Sequence, residues 1–543
     1  MYFSSSRIPS WVLRLLPAIS IVVLAAILAY LLHLLIPYNM DEFLALRLVG
    51  IWRFPANAWD VSQNLTDLNV FNLGLKFPAL TYGYIGSLKS FLYYPLYLLW
   101  PSPVSARFLG ILFLGFQAYL IHKLFRLSVV PVFAGLCLFF PYFFTHAVDA
   151  GPLVFGTTSI FLLLFLIRKW LQTGKQWWAF LASVTVFLGL LEKMTFLWLL
   201  PGIVALVLVE AWDSGAFSSR ISVRKFFRSS LPPFAVAIFL VSFFFLSPYY
   251  KSPGTYPFID QIKSAQFRSI PGLFKYGFGL NVVRAFFNPL RATVKVYAVE
   301  NYPLVNVIYD SLLFLWVPFF IGWLTVRKTV RLKKIIRPLV YYAAFLLTAF
   351  IAVRTYPSEY FHHAVLSYPF LLISILYTAE MVHGEFKDGR LEFIVFPAVL
   401  FLMLNLFFFA VFPAQPVFND VIIRDAPIFR LIDDPRLAPH AIYAPMDWGM
   451  FYYQFIYGVK GQSVMMVGLD GITDYEPWLN YSHQLGREMA FIYNGQWHAS
   501  GSFLAVAAKH GYQRCEKISR DEIWQLLVKQ GGKFSLACSA RSG

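Results

Sequence analysis

The sequence predicts a polytopic α-helical membrane protein, with about eleven transmembrane helices and a small C-terminal α/β domain outside the membrane. Of its 543 residues, 58% are hydrophobic and only 13% are charged, whereas a soluble domain has about 25% charged residues. Because one anchor helix cannot account for this shortfall, many apolar spans are required. The 57 Phe, 31 Tyr and 15 Trp residues fit aromatic belts at the lipid interface.

The first predicted span, 15–36, is about 22 residues long. This length suits a membrane crossing and exceeds the apolar part of a cleaved signal peptide. Arg7 and Arg14 precede the span, so the N-terminus is expected in the cytoplasm. The outer segment 37–105 follows, and its short Tyr-rich run 91–100 predicts an interfacial or re-entrant helix instead of a full span.

Ten further apolar segments predict the remaining spans. They are about 106–122, 128–146, 152–168, 177–191, 195–211, 231–247, 306–326, 338–353, 360–380 and 391–412. The Lys and Arg clusters between them fall on one side, most clearly at 327–334, and this side is predicted to be the cytoplasm. The odd number of spans places the C-terminus outside, together with a long outer loop, 248–305.

The net charge of +17 does not predict a nucleic-acid partner. Residues 413–543 are close to neutral, so the excess lies among the hydrophobic segments, as orientation signals require. The basic outer loop 248–305 instead fits an anionic partner.

The division of the chain follows from these patterns: residues 1–412 form the membrane module and 413–543 form the outer α/β domain. Short strands are predicted at 441–444, 463–467 and 503–507, and a helix at 521–527. Cys515 and Cys538 can form a disulfide if this domain faces an oxidising compartment. Cys137 lies in an apolar run and is interpreted as a packing residue.

Two charged sites occupy costly positions at predicted membrane boundaries. Asp41-Glu42 follows the first span, where carboxylates are expensive to desolvate; the alternative is a solvated acidic start to an interfacial helix. Lys193 lies between two apolar spans with almost no loop, where a lone Lys is unfavourable unless it is paired. Glu192 is the alternative partner that would give Lys193 a purely structural role.

Several motifs resemble one family when they are taken in order. An N-in first span and Asp41-Glu42 precede a Pro-, Gly- and aromatic-rich outer segment. Then come Val-Ser-Ala-Arg-Phe-Leu-Gly at 104–110, His-Ala-Val-Asp-Ala-Gly-Pro at 146–152, Leu-Glu-Lys-Met-Thr at 191–195 and Phe-His-His-Ala-Val-Leu-Ser-Tyr-Pro at 361–369. Their order and sidedness, over about 10–412, resemble the GT-C membrane glycosyltransferases, in the protein O-mannosyltransferase and aminoarabinose transferase branch. His362 departs from that pattern, which usually has Arg.

The resemblance implies a GT-C fold and an inverting transfer of a sugar from a polyprenyl-phosphate donor to a lipid, glycan or protein acceptor on the outer face. Asp41 matches the family's catalytic base, and Glu42 and Asp149 would orient hydroxyl groups. Cationic side chains would stabilise the leaving phosphate; the candidates are Arg107, Lys193, Arg284, Arg291, Arg354 and His362. The C-terminal domain favours a bacterial inner membrane.

No cofactor and no required metal are predicted. Acidic residues are too sparse for a Mg²⁺ or Mn²⁺ cage, and Arg and Lys alone can serve a monophosphate leaving group. Two other functions stay open: a transporter or flippase of a lipid-linked or anionic substrate, and a non-catalytic envelope-assembly scaffold. The sequence has no evident internal repeat, a feature of many transporters.

Overall fold

The computed structural model describes part of the chain. The described residues are 10–35, 66–70, 75–82, 85–86, 88–102, 104–139, 146–147, 153–217, 220–245, 303–327, 332–355, 365–385, 441–445, 462–463, 488–494, 501–515 and 524–532. The chain forms two compact units. The first comprises Met1–Ile36, Asp67–Lys89 and Ala106–Asn419, and the second comprises Pro37–Thr66, Ser90–Ser105 and Asp420–Gly543.

Helices dominate the first unit. Their bounds are α1 Ser10–Leu35, α2 Leu88–Leu99 (which continues into the second unit), α3 Val104–Phe125, α4 Val129–Leu138, α5 Leu153–Thr173, α6 Gln176–Glu192, α7 Leu200–Asp213, α8 Arg220–Phe245, α9 Pro303–Val326, α10 Leu332–Thr355 and α11 Tyr368–Glu385. A 3₁₀ segment, Met194–Leu199, joins α6 to α7. A small sheet, β1 Thr66–Val70, β2 Leu75–Tyr82 and β3 Ile85–Gly86, precedes α2.

A described helix lies at each of the first ten predicted spans, while the eleventh, 391–412, lies outside the described residues. Within the described residues, five segments are long and apolar enough to cross a membrane: Leu15–Leu32, Val104–Phe125, Leu153–Thr173, Thr195–Asp213 and Val365–Val382. Large apolar side chains such as Ile19, Phe234 and Phe239 stay exposed, as expected of surfaces that face lipid. The chain is therefore mostly helical with several membrane-spanning segments, and the total of eleven stays a prediction.

Helix α2 is short and leaves three of its leucines, Leu92, Leu98 and Leu99, exposed. Its 12 residues span about 18 Å, well below the roughly 30 Å of a bilayer core. Lys89, Ser90 and Tyr93 are buried, whereas Leu98 is 64% exposed. This length and exposure agree with the interfacial helix predicted for this stretch.

Glycines allow the central helices of the first unit to pack closely. A Cβ atom on Gly189 of α6 would lie 2.7 Å from the Phe196 ring, and one on Gly156 of α5 would lie 2.8 Å from Leu366. Contacts below 3.0 Å are sterically excluded, so these positions need the absence of a side chain. The Phe196 ring thereby holds the 3₁₀ segment against α5 and α6.

The central helices alternate in direction, which gives the first unit two distinct ends. Only Gly174 and Lys175 join α5 to α6, and the 3₁₀ segment returns the chain into α7. Glu192 and Lys193 therefore lie at one end, called here the Glu192 end. Arg168 and Glu210, which contact each other, lie at the opposite end, called the Glu210 end, next to the basic segments that predict the cytoplasm.

The C-terminal part of the second unit contains a mixed five-stranded sheet. Its strands are β4 Ala441–Pro445, β5 Gln462–Ser463, β6 Glu488–Asn494, β7 Tyr512–Arg514 and β8 Trp524–Lys529, in the order β5-β4-β6-β8-β7. Strand β4 is parallel to β5 and β6, and β8 is antiparallel to β6 and β7. Helix α12, Gly501–Lys509, precedes β7. Cys515 follows β7 and is disulfide-bonded.

Two predicted elements of this domain are wrong. Residues 503–507 lie in helix α12 instead of a strand, because a short apolar run rich in Ala fits a half-buried helix equally well; Gly511, with φ of +78°, supplies the left-handed turn after it. Residues 524–527 of the predicted helix 521–527 belong to strand β8. Leu526, Leu527 and Val528 are all buried, so pairing on both edges overrides local propensity.

Candidate functional site

The Glu192 end holds a buried cluster of charged side chains, formed by Lys89, Glu192 and Lys193 and called here the Lys89–Glu192–Lys193 cluster. Their exposed fractions are 5%, 1% and 6%. The Glu192 carboxylate interacts favourably with the charges of both lysines. Two ammonium groups and one carboxylate give the cluster a formal charge of +1. Buried charges are rare unless they are paired or functional, so this is the strongest candidate site in the described part of the chain.

The local backbone explains why two charged residues occupy this turn. Helix α6 ends at Glu192, and Lys193 has extended backbone angles, φ −154° and ψ 127°. The Lys193 N–H still donates to the Gly189 carbonyl at 3.1 Å, and its own carbonyl accepts from Phe196 N–H at 2.9 Å. One extended residue therefore separates two helical segments. The backbone hydrogen bonds on both sides of Lys193 therefore fix this turn between the two helical segments.

Glu192 binds the start of α2 with one oxygen only. The Lys89 main-chain N–H donates to Glu192 Oε2 at 2.7 Å; this N–H is in the first turn of α2, where it has no intrahelical acceptor. No hydrogen bond reaches the buried Oε1 from the described residues. The side-chain oxygen of Thr195, Oγ1, is likewise buried without a hydrogen bond from the described residues. Each of these side chains therefore keeps unused hydrogen-bonding capacity.

Arg107 lies at the first turn of α3 and anchors α1. It is 0% exposed, and its Nη1 donates to the Leu32 carbonyl oxygen at 2.6 Å. Leu32 is among the last four residues of α1, whose carbonyls lack intrahelical partners. A guanidinium there also complements the helix dipole. This contact gives Arg107 a structural role, and its predicted contact with phosphate stays a prediction.

His146, which precedes Asp149 by three residues in the sequence, is held by close packing and buried polar contacts. A Cβ atom on Gly110 of α3 would overlap the His146 carbonyl oxygen. The His146 ring Nε2 lies 2.9 Å from Gln117 Nε2 and 2.8 Å from Thr157 Oγ1, and Gln117 Nε2 also donates to Thr158 Oγ1 at 2.8 Å. Both His146 and Gln117 are fully buried. The chain three residues before Asp149 therefore has a fixed position on α3 and α5.

The structure describes three of the nine predicted site residues at least in part. Lys193 and Arg107 lie at the same end of the bundle, and Arg354 lies near the end of α10, where its side chain is not described. The other six predictions lie outside the described residues: Asp41, Glu42, Asp149, Arg284, Arg291 and His362.

Sequence reasoning did not select Lys89 and gave Glu192 only the role of a partner for Lys193. The signal for Lys89 was present, because it is a lone Lys at the start of the Tyr-rich segment. The rule that selected Lys193, an isolated cation next to apolar runs, applies to Lys89 as well. No comparable signal identifies the orphaned oxygen of Glu192, because it depends on packing.

The Glu210 end holds a second buried ionic network, in which both oxygens of Glu210 accept hydrogen bonds. Glu210 Oε2 accepts from Arg168 Nε at 2.8 Å and Arg337 Nη2 at 3.0 Å. Glu210 Oε1 accepts from the hydroxyls of Tyr341 at 2.8 Å and Tyr377 at 3.2 Å. Arg168 Nη1 also donates to the last turn of α3 at the Leu124 carbonyl. This network joins α3, α5, α7, α10 and α11, and the pairing of both Glu210 oxygens indicates a structural role.

The described residues contain no group of three or more His, Cys, Asp or Glu side chains that could hold a metal ion. The described side chains at the Glu192 end offer ammonium groups, a carboxyl group and hydroxyl groups. Such groups can bind an anion and can exchange hydrogen bonds with hydroxyl groups.

These features define the class of the protein: an integral membrane protein with a helical bundle that carries a buried charged cluster at one end. No protein-family model and no curated protein matches the sequence.

The solved structures that match at low similarity include two of ArnT from Cupriavidus metallidurans. The apo state has 12% identity and a TM-score of 0.36 over 94% of this chain and 97% of that chain. The form bound to undecaprenyl phosphate has 12% identity and a TM-score of 0.36 over 95% of this chain and 98% of that chain. Similarity of this size does not establish a shared fold or activity.

Proposed function

We propose that this chain is a GT-C-type glycosyltransferase that transfers a sugar from a polyprenyl-phosphate donor to an acceptor on the outer face of the membrane. The observation that carries the proposal is the Lys89–Glu192–Lys193 cluster. Its net positive charge lies at the end of apolar helices, where the phosphate of a lipid-linked substrate meets the protein. The motif order from Asp41 to the segment 361–369 supports the same function.

In the proposed reaction the acceptor hydroxyl oxygen attacks the anomeric carbon of the donor. A new carbon–oxygen bond forms as the bond from that carbon to the phosphate oxygen breaks, and the bonding electrons leave with the phosphate. Asp41 accepts the proton that the acceptor hydroxyl loses. A single displacement of this kind inverts the anomeric configuration. An Asp with an ordinary pKa of about 3.9 is a weak base, so its proton transfer occurs late in the step.

The two lysines are proposed to stabilise the phosphate leaving group. Negative charge grows on the phosphate as the bond breaks, and cations in a site that excludes water stabilise this charge most strongly. Lys89 and Lys193 are both buried, so solvent screens them little. Arg284, Arg291, Arg354 and His362 remain proposed contributors to phosphate binding.

Arg107 fixes the end of α1, the helix that precedes the proposed base in the sequence. Its contact with Leu32 holds the last turn of α1, and Asp41 follows Leu35 by six residues. Asp41 is proposed to act beside the donor phosphate that Lys193 binds. Glu42 and Asp149 are proposed to orient hydroxyl groups of the donor or the acceptor.

The proposed outer location of the C-terminal domain is supported by its chemistry. Cys515 is disulfide-bonded, and disulfides persist in oxidising compartments. The basic segments that predict the cytoplasmic side lie toward the Glu210 end, which leaves the Glu192 end for the outer face. We propose a bacterial inner membrane as the host membrane.

The test is transfer by the purified full-length protein in proteoliposomes. Radiolabelled hexose and pentose esters of polyprenyl phosphate would be supplied with envelope lipids and glycans, and consumption of the labelled donor would be measured. Asp41→Asn is expected to lower the rate at least 100-fold, because general bases contribute about 10²–10⁴. Lys193→Met is expected to lower it about 100-fold. Retention of the wild-type rate by Asp41→Asn would overturn the assignment of the base.

Lys169→Met is the matched control, because it removes a lysine at the Glu210 end. Its rate should stay within about twofold of wild type, as for most surface substitutions. The same vesicles test the transporter alternative. Movement of the intact donor across the bilayer, with no donor consumed in the presence of any acceptor, would replace the transferase proposal with a flippase.

A further inference from the structure

Two buried side-chain oxygens at the Glu192 end lack hydrogen-bond partners in the described part of the chain. Glu192 Oε1 and Thr195 Oγ1 belong to residues that are 1% and 3% exposed. An unsatisfied buried polar atom costs about 1–3 kcal/mol, and more if it is charged. Most buried polar atoms in folded proteins have a partner. Two unsatisfied atoms on one turn therefore point to a ligand that supplies the missing hydrogen bonds.

These atoms lie on a rigid piece of the backbone. Glu192 ends α6, and Thr195 belongs to the 3₁₀ segment that the Phe196 ring holds against Gly189. Glu192 is further fixed by the bond from Lys89 N–H to its other oxygen. Fixed positions suit recognition, because the protein does not have to order these groups when a ligand binds.

The chemistry of the two groups selects the kind of ligand. A carboxyl oxygen accepts hydrogen bonds, and a Thr hydroxyl accepts and donates. A ligand O–H group, which can both donate and accept, can therefore satisfy both oxygens. A cationic donor is disfavoured, because Lys89 and Lys193 lie close enough to Glu192 to interact with it electrostatically and would repel a third cation. A neutral hydroxyl group close to an anionic group fits both the oxygens and the lysines.

We propose that Glu192 and Thr195 form a subsite that binds a sugar hydroxyl group of the donor while Lys89 and Lys193 bind its phosphate. The inference rests on the proposed function and adds a determinant of substrate choice. It separates the roles within the cluster: the lysines recognise any polyprenyl phosphate, and the two oxygens recognise the sugar attached to it.

The experiment compares two kinds of probe on the full-length protein in detergent. One is bare polyprenyl phosphate, and the other is a panel of its hexose and pentose esters; affinity is measured by tryptophan fluorescence quenching. Wild type is expected to bind at least one ester more tightly than the bare phosphate. Glu192→Gln should lower this preference about tenfold and Thr195→Val several-fold. Glu192→Gln should also leave the affinity for the bare phosphate equal or higher, because it removes a competing negative charge.

Thr185→Val is the matched control. Thr185 is also a buried Thr, in the middle of α6, but its hydroxyl donates to the Leu181 carbonyl at 2.8 Å. Its removal should leave the sugar preference unchanged. If Glu192 and Thr195 were only structural, their variants would weaken the binding of both probes by the same factor. That result, or an unchanged preference in both variants, would overturn the subsite.

The same data separate failure of the subsite from failure of the proposed function. A wild-type protein that binds no polyprenyl phosphate, bare or esterified, would contradict the transferase proposal itself. A wild-type protein that binds the bare phosphate but prefers none of the esters would overturn only the sugar subsite. Elution as a single monodisperse peak in size-exclusion chromatography establishes that each variant is folded.

Discussion

Removal of the Glu210 carboxylate should destabilise the helical bundle strongly. Glu210 is 3% exposed and accepts hydrogen bonds from Arg168, Arg337, Tyr341 and Tyr377. In Glu210→Ala, Arg168 loses its partner carboxylate, whereas Arg337 keeps an ion pair with Asp213 at 2.7 Å. Loss of one partner from a buried pair costs about 3–5 kcal/mol. Because the Arg168 side chain is still 16% exposed, we expect the lower end, about 3 kcal/mol.

Two further variants provide reference values for the loss of unfolding free energy expected in Glu210→Ala. Glu210→Gln keeps an acceptor oxygen for the tyrosines but loses the charge, so its expected cost is about 2 kcal/mol. Asp213→Asn changes a pair whose side chains are 25% and 27% exposed, so its cost should be about 0–1 kcal/mol. The measurement is the free energy of unfolding in mixed micelles under reversible conditions, since thermal scans of membrane proteins report rates when unfolding is irreversible.

A double-mutant cycle tests the cause of the loss. In Arg168→Ala/Glu210→Ala the unpaired guanidinium is gone together with its partner. The double variant should therefore lose about 2 kcal/mol less stability than the sum of the single variants. Additive single effects, or a cost below about 1 kcal/mol for Glu210→Ala, would refute the reasoning that this network joins the helices.

Four other predictions follow from particular contacts. Gly110→Ala should destabilise the protein by more than about 2 kcal/mol, because its Cβ would overlap the His146 carbonyl oxygen; Gly135→Ala, whose Cβ meets nothing within 4 Å, should be neutral or slightly stabilising in the same unfolding assay. Arg107→Met should accelerate proteolysis of the chain after α1, because Leu32 loses its cap, whereas Lys123→Met at the other end of α3 should not. In a Cys137→Ala background, maleimide should label the denatured protein only after reduction, because Cys515 is disulfide-bonded; labelling without reductant contradicts this. A Cys placed at exposed Lys509 should react with an impermeant maleimide in intact spheroplasts, and reaction only after permeabilisation would contradict the outer location.

The sequence alone predicted the features that depend on a short stretch of neighbouring residues. Apolar length located helices at the first ten predicted spans, and the short Tyr-rich run was distinguished from a full span because α2 has only 12 residues. Lys193 was selected because an isolated lysine between apolar segments stands out without any structure.

Other features depend on contacts between residues far apart in the chain. The oxygen of Glu192 that receives Lys89 N–H is 103 positions away from it in sequence, and no local pattern encodes such a pairing. Strand β8, where the sequence predicted a helix, has the same origin. Local propensity favoured a helix near Leu526 and Leu527, but two flanking strands bury these side chains in a sheet.

The contrast between the two ends of the bundle has a mechanical consequence. At the Glu210 end one carboxylate accepts hydrogen bonds from four side chains on three other helices. Separation of the helices there would therefore expose several unpaired charges at once. At the Glu192 end two oxygens have no partner to lose. We therefore expect any motion that admits a lipid between the helices to leave the Glu210 network intact.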